Sequence, residues 1–219
     1  MTISKPVGLT IFALAAAAAV MPFDLAIAQY VNAHDACRPF FEAITDIGLG
    51  KWYVWPSGIL ALAGFALWKN KKLPERFFPA WHASVLIFIA VGGSGLLTDT
   101  LKRIFARARP TEFFASHTTG FFHWADAFGP HAYHFHSFPS GHTTTALSLA
   151  AAVTFLLPEK QRWLRIPVFV FAGILAVSRI MVSAHYTSDV IVGAVIGTWG
   201  AVIAHKILQN RWSEYKTAS

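Results

Sequence analysis

Lys102 with Arg109-Pro110, then Pro139-Ser140-Gly141-His142, then Ser178-Arg179 with His185 and Asp189 form three short polar clusters in a largely apolar chain. Together they offer three cations, two imidazoles, one carboxylate and a Ser-Gly turn. Arginine contacts phosphate through two parallel N–H groups, and lysine acts as a point charge. An imidazole whose one ring nitrogen is held by a carboxylate keeps the lone pair of the other free to attack. The set is suited to gripping a phosphate and cutting its ester. Ionisable groups are costly to place in so apolar a chain, so their presence needs a reason.

Each cluster also has a plain structural explanation. Pro and Ser suit a turn into a helix, and Gly lets backbone approach a ligand. The helix that follows has free N–H groups and a positive dipole end, both favouring an anion beside His142. The plain alternative is an ordinary helix start with a solvated histidine. Lys102 and Arg109 are seven apart, which returns to one helix face after about two turns, with Pro110 ending that helix. The alternative is a basic helix end reaching for water, with Arg103 and Arg107 as further examples. His185 and Asp189 are four apart and share a face if helical. Arg179 and His185, six apart, would diverge on one continuous helix. A break is therefore predicted near Ser183-Ala184, and the alternative is a satisfied His-Asp pair at a helix end.

The elements that must position these groups read as membrane spans. The chain has 219 residues, which predicts a single domain over 1–219. It is 55% apolar and 13% charged, against roughly 25% charged in soluble domains, with a mean hydropathy of +0.48. The net charge is +7. The basic residues lie between apolar runs, as topology determinants do, rather than on a polar surface, so no nucleic-acid partner is expected. Cys37 is the only cysteine, so no intrachain disulfide forms.

Six apolar stretches, 7–28, 52–68, 82–101, 143–157, 163–182 and 190–207, predict an all-α polytopic bundle of six transmembrane helices. The fourth is short unless it begins near Ser140. Trp52, Tyr53 and Trp55 at one end of the second stretch and Trp68 at the other read as interfacial belts. With the N-terminus inside, eleven Lys and Arg fall on inner segments and seven on outer ones. Lys5, Lys69, Arg76, Arg162, Arg211 and Lys216 are among the inner set. Both termini are then cytoplasmic, and all three clusters lie at the outer face.

Residues 7–28 also resemble a cleavable signal peptide, with Ala26-Ile27-Ala28 before Gln29, although the run is long enough to span. Cys37, Phe40, Phe41, Ile44 and Ile47 recur at helical spacing, which fits a short helix lying in the outer interface; a surface loop with a few buried aromatics is the equal alternative. The segment 111–138 is the one long outer loop, rich in Phe, His and Gly; loops of this length are often functional. His117, His123, His131, His134 and His136 within it raise metal binding as an alternative to a polar cover that contacts headgroups.

The conjunction of Lys102, Arg109-Pro110, Pro139 to His142, and Ser178-Arg179, His185 and Asp189 resembles the three-part motif of the type 2 phosphatidic acid phosphatase superfamily. Every motif position is present at the family's spacing. The motifs cover 102–189, and the six-span layout extends the resemblance to nearly the whole chain. The resemblance implies that His185 is the nucleophile, forming a phosphohistidine, and that Asp189 orients it. It implies that His142 protonates the leaving oxygen and then helps activate water. Lys102, Arg109, Arg179, Ser140 and the Gly141 amide would hold the phosphoryl oxygens and stabilise the five-coordinate state. Opposite protonation states for the two histidines predict a bell-shaped pH profile.

No metal or cofactor is required by this scheme, and the chain has no phosphate-binding glycine loop of the nucleotide-binding type. The expected partner is a membrane lipid phosphate in the bilayer. Candidates implied by the family are prenyl diphosphates, phosphatidylglycerol phosphate, phosphatidate and the phosphates of lipid A. Arg103 and Arg107 are expected to add attraction for anionic lipid. The expected location is a bacterial inner membrane, with the site on the periplasmic side. A phosphotransferase using the same phosphohistidine, a vanadium-dependent haloperoxidase and a non-catalytic lipid or metal transporter are the other classes considered. The oligomeric state is not legible in the sequence.

Overall fold

The computed structural model describes residues 4–217, with side chains for 7–209. Lys5, Arg211 and Lys216, counted above for sidedness, lie outside the described side chains, and the extreme ends of the predicted single domain lie outside the described residues. The chain forms α1 (Ser4–Val20), α2 (Asp24–Ala33), α3 (Arg38–Thr45), α4 (Lys51–Lys69), α5 (Phe78–Phe105), α6 (Pro110–Ser116), α7 (Gly141–Leu156), α8 (Arg165–Met181) and α9 (Thr187–Thr217), with 3₁₀ turns in some of the connections. Extended pairing among the described residues is limited to an isolated antiparallel bridge between Arg107 and Phe121. The all-α class is thus observed.

Among the described residues, four helical stretches are long and apolar enough to cross a membrane: Val7–Ala33, Glu75–Phe105, Glu159–Met181 and Thr187–Gln209. The first runs through α1 and α2 with a 3₁₀ turn at Met21–Phe23 between them. The predicted second and fourth spans are helices too, α4 with 19 residues and α7 with 16, but they fall outside this group of four. At 1.5 Å per residue α7 rises only about 24 Å, less than the roughly 30 Å hydrocarbon layer.

The bundle keeps its large apolar side chains outside and its small ones inside. Leu9, Phe12, Leu62, Leu96 and Ile166 are exposed, while Ala90, Ala151, Ala152, Ala201 and Ala204 pack with Leu86 in the interior. In lipid, helices gain little by hiding leucine from the solvent, and small residues let backbones approach. On α9, a Cβ added at Gly193 would lie 2.6 Å from the Ser140 carbonyl oxygen, and one at Gly200 would lie 2.7 Å from Ser94 Cβ. Glycine at these positions lets α9 close on α7 and α5. Thr144 Oγ1 donates to the carbonyls of Ser140 (3.0 Å) and Gly193 (3.2 Å), locking the register of α7 against α9 where the second cluster begins.

The short helix predicted around Cys37 to Ile47 is observed as α3, which packs on α8. The segment 111–138 contains α6 and two 3₁₀ turns, Trp124–Ala127 and Ala132–Phe135. Edge-to-face rings fasten it down: Phe105 on Phe138 and Phe122 on Phe135, each at 5.1 Å between centroids.

Candidate active site

The first cluster is built differently from the helical expectation. α5 stops at Phe105, and Ala106 turns into the left-handed region at φ 41. The chain then runs extended, with Ala108 N donating to Gly120 O at 3.0 Å and Phe122 N to Ala106 O at 3.1 Å. Arg109 is the extended residue before α6, and Pro110 opens α6 instead of ending α5. Lys102 and Arg109 therefore do not share one helix face. They meet because both donate to the His136 carbonyl, Lys102 Nζ at 3.1 Å and Arg109 Nη2 at 3.2 Å. Arg109 also donates to Tyr133 O and Ala184 O, both at 3.0 Å. Three carbonyls from two segments thus aim one guanidinium.

The second cluster caps α7. Ser140 is extended, its N–H donates to Asp189 O at 3.0 Å, and no side chain caps the helix. The first amides of α7 are then available to an anion. A Cβ at Gly141 would sit 3.6 Å from Lys102 Nζ, so the glycine backbone and the ammonium face the same space. The turn at Gly48 packs on His142, where a Cβ would lie 3.2 Å from the histidine Cβ.

The third cluster contains the predicted break. α8 ends at Met181, Ser183 has φ 56, and the amides of Ala184 and His185 both donate to Arg179 O at 3.0 and 3.1 Å. His185 lies in this turn, ahead of α9, which opens at Thr187. Arg179 Nη1 donates to Thr45 Oγ1 at 2.6 Å, and Ser178 Oγ donates to the same atom at 2.9 Å. Arg38 Nη2 reaches Ser183 Oγ at 2.9 Å. Helix α3 therefore holds both sides of the break.

The environment of His185 fixes its chemistry. Nδ1 lies 2.6 Å from the Ser137 carbonyl, which can only accept, so Nδ1 carries the proton and Nε2 the lone pair. Nε2 points toward Arg109, 3.5 Å from Nη1. Asp189 does not hold the ring directly: Oδ2 is 3.7 Å from Nδ1, beyond hydrogen-bond range. Its oxygens accept from Ser137 Oγ (2.5 Å), Tyr186 N (2.9 Å) and Arg107 Nη1 (2.5 Å). Ser137 stands between the carboxylate and the imidazole, because His185 precedes α9 instead of sharing a face with Asp189. Complete burial holds His185 well below the usual histidine range, and the neighbouring charges of Arg109, Lys102 and Arg179 push it the same way.

All eight residues singled out in the sequence converge at this end of the bundle. Sequence reasoning missed Ser137, Thr45, Ser188, Asp24 and the true place of Arg107. Arg107 is 5% exposed and pairs with Asp24 at 2.8 Å and Asp189 at 2.5 Å, so it is not a lipid-facing cation. Arg103 does behave as a basic helix end, exposed and paired with Asp99 at 3.1 Å. One signal was available for Asp24: a lone carboxylate inside an apolar span. The loop histidines are dispersed. His134 pairs with Glu112 and His136 Nε2 lies 3.0 Å from Ala127 O; among the described residues no three His, Cys, Asp or Glu side chains group to hold a metal ion.

Apolar helices that bring a buried neutral imidazole against fixed cations and an open helix N-terminus define an integral-membrane protein that handles an anion. The chain belongs to the PAP2 superfamily, which residues 83–213 match. It is 37% identical over 166 residues to the Lipid A 1-phosphatase of Rhizobium johnstonii, covering 74% of this chain and 64% of that protein. Identity to the Lipid A 1-phosphatase of Rhizobium etli is 36% over 172 residues, covering 77% of this chain and 70% of that protein. The crystal structure of a PAP2 type phosphatidylglycerolphosphate phosphatase from Bacillus subtilis shares the fold, with a TM-score of 0.65 and 22% identity over 95% of this chain and 98% of that one. That of Aquifex aeolicus LpxE does so with a TM-score of 0.56 and 24% identity, over 84% of this chain and 95% of that one.

Proposed function

We propose that the chain is a lipid phosphatase that removes a phosphate monoester from a lipid of the lipid A type, at the 1-position, through a phosphohistidine on His185. The observation that carries this reading is the placement of a neutral Nε2 against Arg109, beside Lys102, Arg179 and the Gly141 amide. The identity to the two Rhizobium proteins supports the substrate class. The distribution of Lys and Arg supports six spans, cytoplasmic termini and a site on the periplasmic side.

In the first step the Nε2 lone pair attacks phosphorus, and the bond from phosphorus to the lipid oxygen breaks. His142, whose pKa burial and then the charges of Arg179, Lys102 and Arg109 lower to about 3 without an anion beside it, takes up a proton next to the bound phosphate's negative charge and gives it to that leaving oxygen. Lys102, Arg109, Arg179, Ser140 and the Gly141 amide take up the charge on the phosphoryl oxygens. Water then attacks the phosphoryl group while His142, now a base, accepts its proton. The P–N bond breaks, its electrons return to Nε2, and inorganic phosphate leaves. Asp189, through Ser137, keeps the proton of His185 on Nδ1.

Phosphate release from a panel of lipid A 1-phosphate, phosphatidylglycerol phosphate, phosphatidate and a prenyl diphosphate tests the reading. Release from the lipid A substrate is expected to persist in excess EDTA. Complete loss on chelation, restored by a divalent ion, would show that the histidine scheme is wrong.

The pH dependence follows from the buried imidazole. Protonation of Nε2 stops attack, and burial followed by the neighbouring cations lowers the pH at which it occurs. As pH falls, the rate is therefore expected to hold through 6.5, the ordinary histidine value, and to fail only in more acidic buffer. An acid half-point at or above 6.5 in a kcat/KM profile, which reports the free enzyme, would remove His185 from the role of neutral nucleophile.

A further inference from the structure

We propose that Arg107, anchored by Asp24 of the first apolar stretch, is a positioning residue that neutralises Asp189 and so keeps His185 uncharged. The proposal rests on His185 being the nucleophile, and it gives two residues outside the three-part motif a part in the reaction.

The geometry is a continuous relay in a dry space. Asp24 is 2% exposed and sits at the start of α2. Its Oδ2 accepts from Arg107 Nη2 at 2.8 Å and from Ser188 Oγ, and its Oδ1 accepts from Ser188 N at 3.1 Å. Arg107 Nη1 donates onward to Ser188 Oγ at 2.8 Å and to Asp189 Oδ1 at 2.5 Å. Its guanidinium carbon lies 4.3 Å from the centre of the Tyr186 ring and 5.0 Å from that of Phe121, so rings confine it. Asp189 holds Ser137 Oγ, and the Ser137 carbonyl holds His185 Nδ1. Arg107 O accepts from Ser137 N at 3.0 Å, which ties the same peptide a second time.

The electrostatic argument is direct. A buried carboxylate 3.7 Å from an imidazole favours the charged ring, which has no lone pair on Nε2. The other titratable groups facing His185 are Lys102 of α5, Arg109 before α6, His142 of α7 and Arg179 of α8, and each opposes a charged ring when it carries its own charge. Asp189 is the one neighbour among them that favours it. Arg107 cancels that pull, and Asp24 fixes Arg107 in place. Burial alone disfavours the arginine charge, but Asp189 and Asp24 outweigh it and hold Arg107 above its ordinary value.

The test measures kcat and KM against pH for the full-length protein in membranes or detergent, as wild type, Arg107→Gln, Asp24→Asn and Arg107→Lys. Arg107→Gln is expected to move the acid limb of kcat/KM upward by about one pH unit, which lowers the rate by up to about tenfold on the acid side of that limb and little at alkaline pH. KM should hold, because the Arg107 guanidinium is committed to Asp24, Ser188 and Asp189. Asp24→Asn is expected to shift the limb the same way by less, and Arg107→Lys to restore part of the shift. An unmoved limb alongside reduced folded yield would make the pair merely structural and overturn the proposal. If Arg107→Gln does not accumulate, the isosteric Asp24→Asn decides alone. Wild type inactive on every lipid phosphate sinks the proposed function, whereas active wild type with unmoved limbs sinks only the relay. Intact mass adds a check: fully active protein cleaved after Ala28 has lost Asp24, and would also overturn the relay.

Discussion

His185→Ala is expected to lower phosphate release by about 10⁴-fold or more, the scale seen when a covalent nucleophile is deleted from a preorganised site. The reason lies in what the substitution leaves intact. Arg109 keeps its carbonyl partners at Tyr133, Ala184 and His136, and Lys102 keeps His136. The anion grip therefore survives, and affinity for the lipid phosphate should change far less than turnover. Rapid denaturing quench of wild type with phosphorus-labelled substrate should trap label on the protein, and the alanine variant should trap none. A variant that binds substrate, stays folded by its melting profile and still turns over at a tenth of the wild-type rate would place the nucleophile elsewhere.

Arg109→Lys is expected to reduce kcat by about 10²–10³-fold, the usual loss when one preorganised donor to a developing charge is removed. Charge is kept, so a site working by simple cationic attraction would tolerate the change. Arg109 instead uses its planar fork to bind three backbone carbonyls while one edge faces His185 Nε2. A lysine has one nitrogen to divide among those partners and the phosphoryl oxygens, and it cannot hold both. The measurement is steady-state kinetics at saturating lipid phosphate, with folded yield as control. Near-normal kcat with a raised KM would reduce Arg109 to an electrostatic attractor.

Much of this was legible in the chain because the polar groups stand out against an apolar background. The break at Ser183-Ala184 follows from the six-residue step between Arg179 and His185, and helix α3 from the spacing of Phe40, Phe41 and Ile44. The failures share a cause: helical periodicity was extended through segments that are not helical. Lys102 and Arg109 were placed on one helix, but Ala106 turns left-handed and the chain runs extended to Arg109. His185 and Asp189 were placed on one face, but His185 sits before α9 begins. Local spacing carries no record of such departures, which depend on Gly120 and Ser137 pairing back from far along the chain. Asp24 and Arg107 went unread for a related reason. They are 83 residues apart, and only packing shows that each exists for the other.

The His136 carbonyl accepts from both Lys102 and Arg109. One acceptor on the segment 111–138 thus sets the spacing of two charges borne by different parts of the frame. A substitution that displaces this peptide is therefore expected to disturb Lys102 and Arg109 together, although Arg109 keeps its bonds to Tyr133 O and Ala184 O.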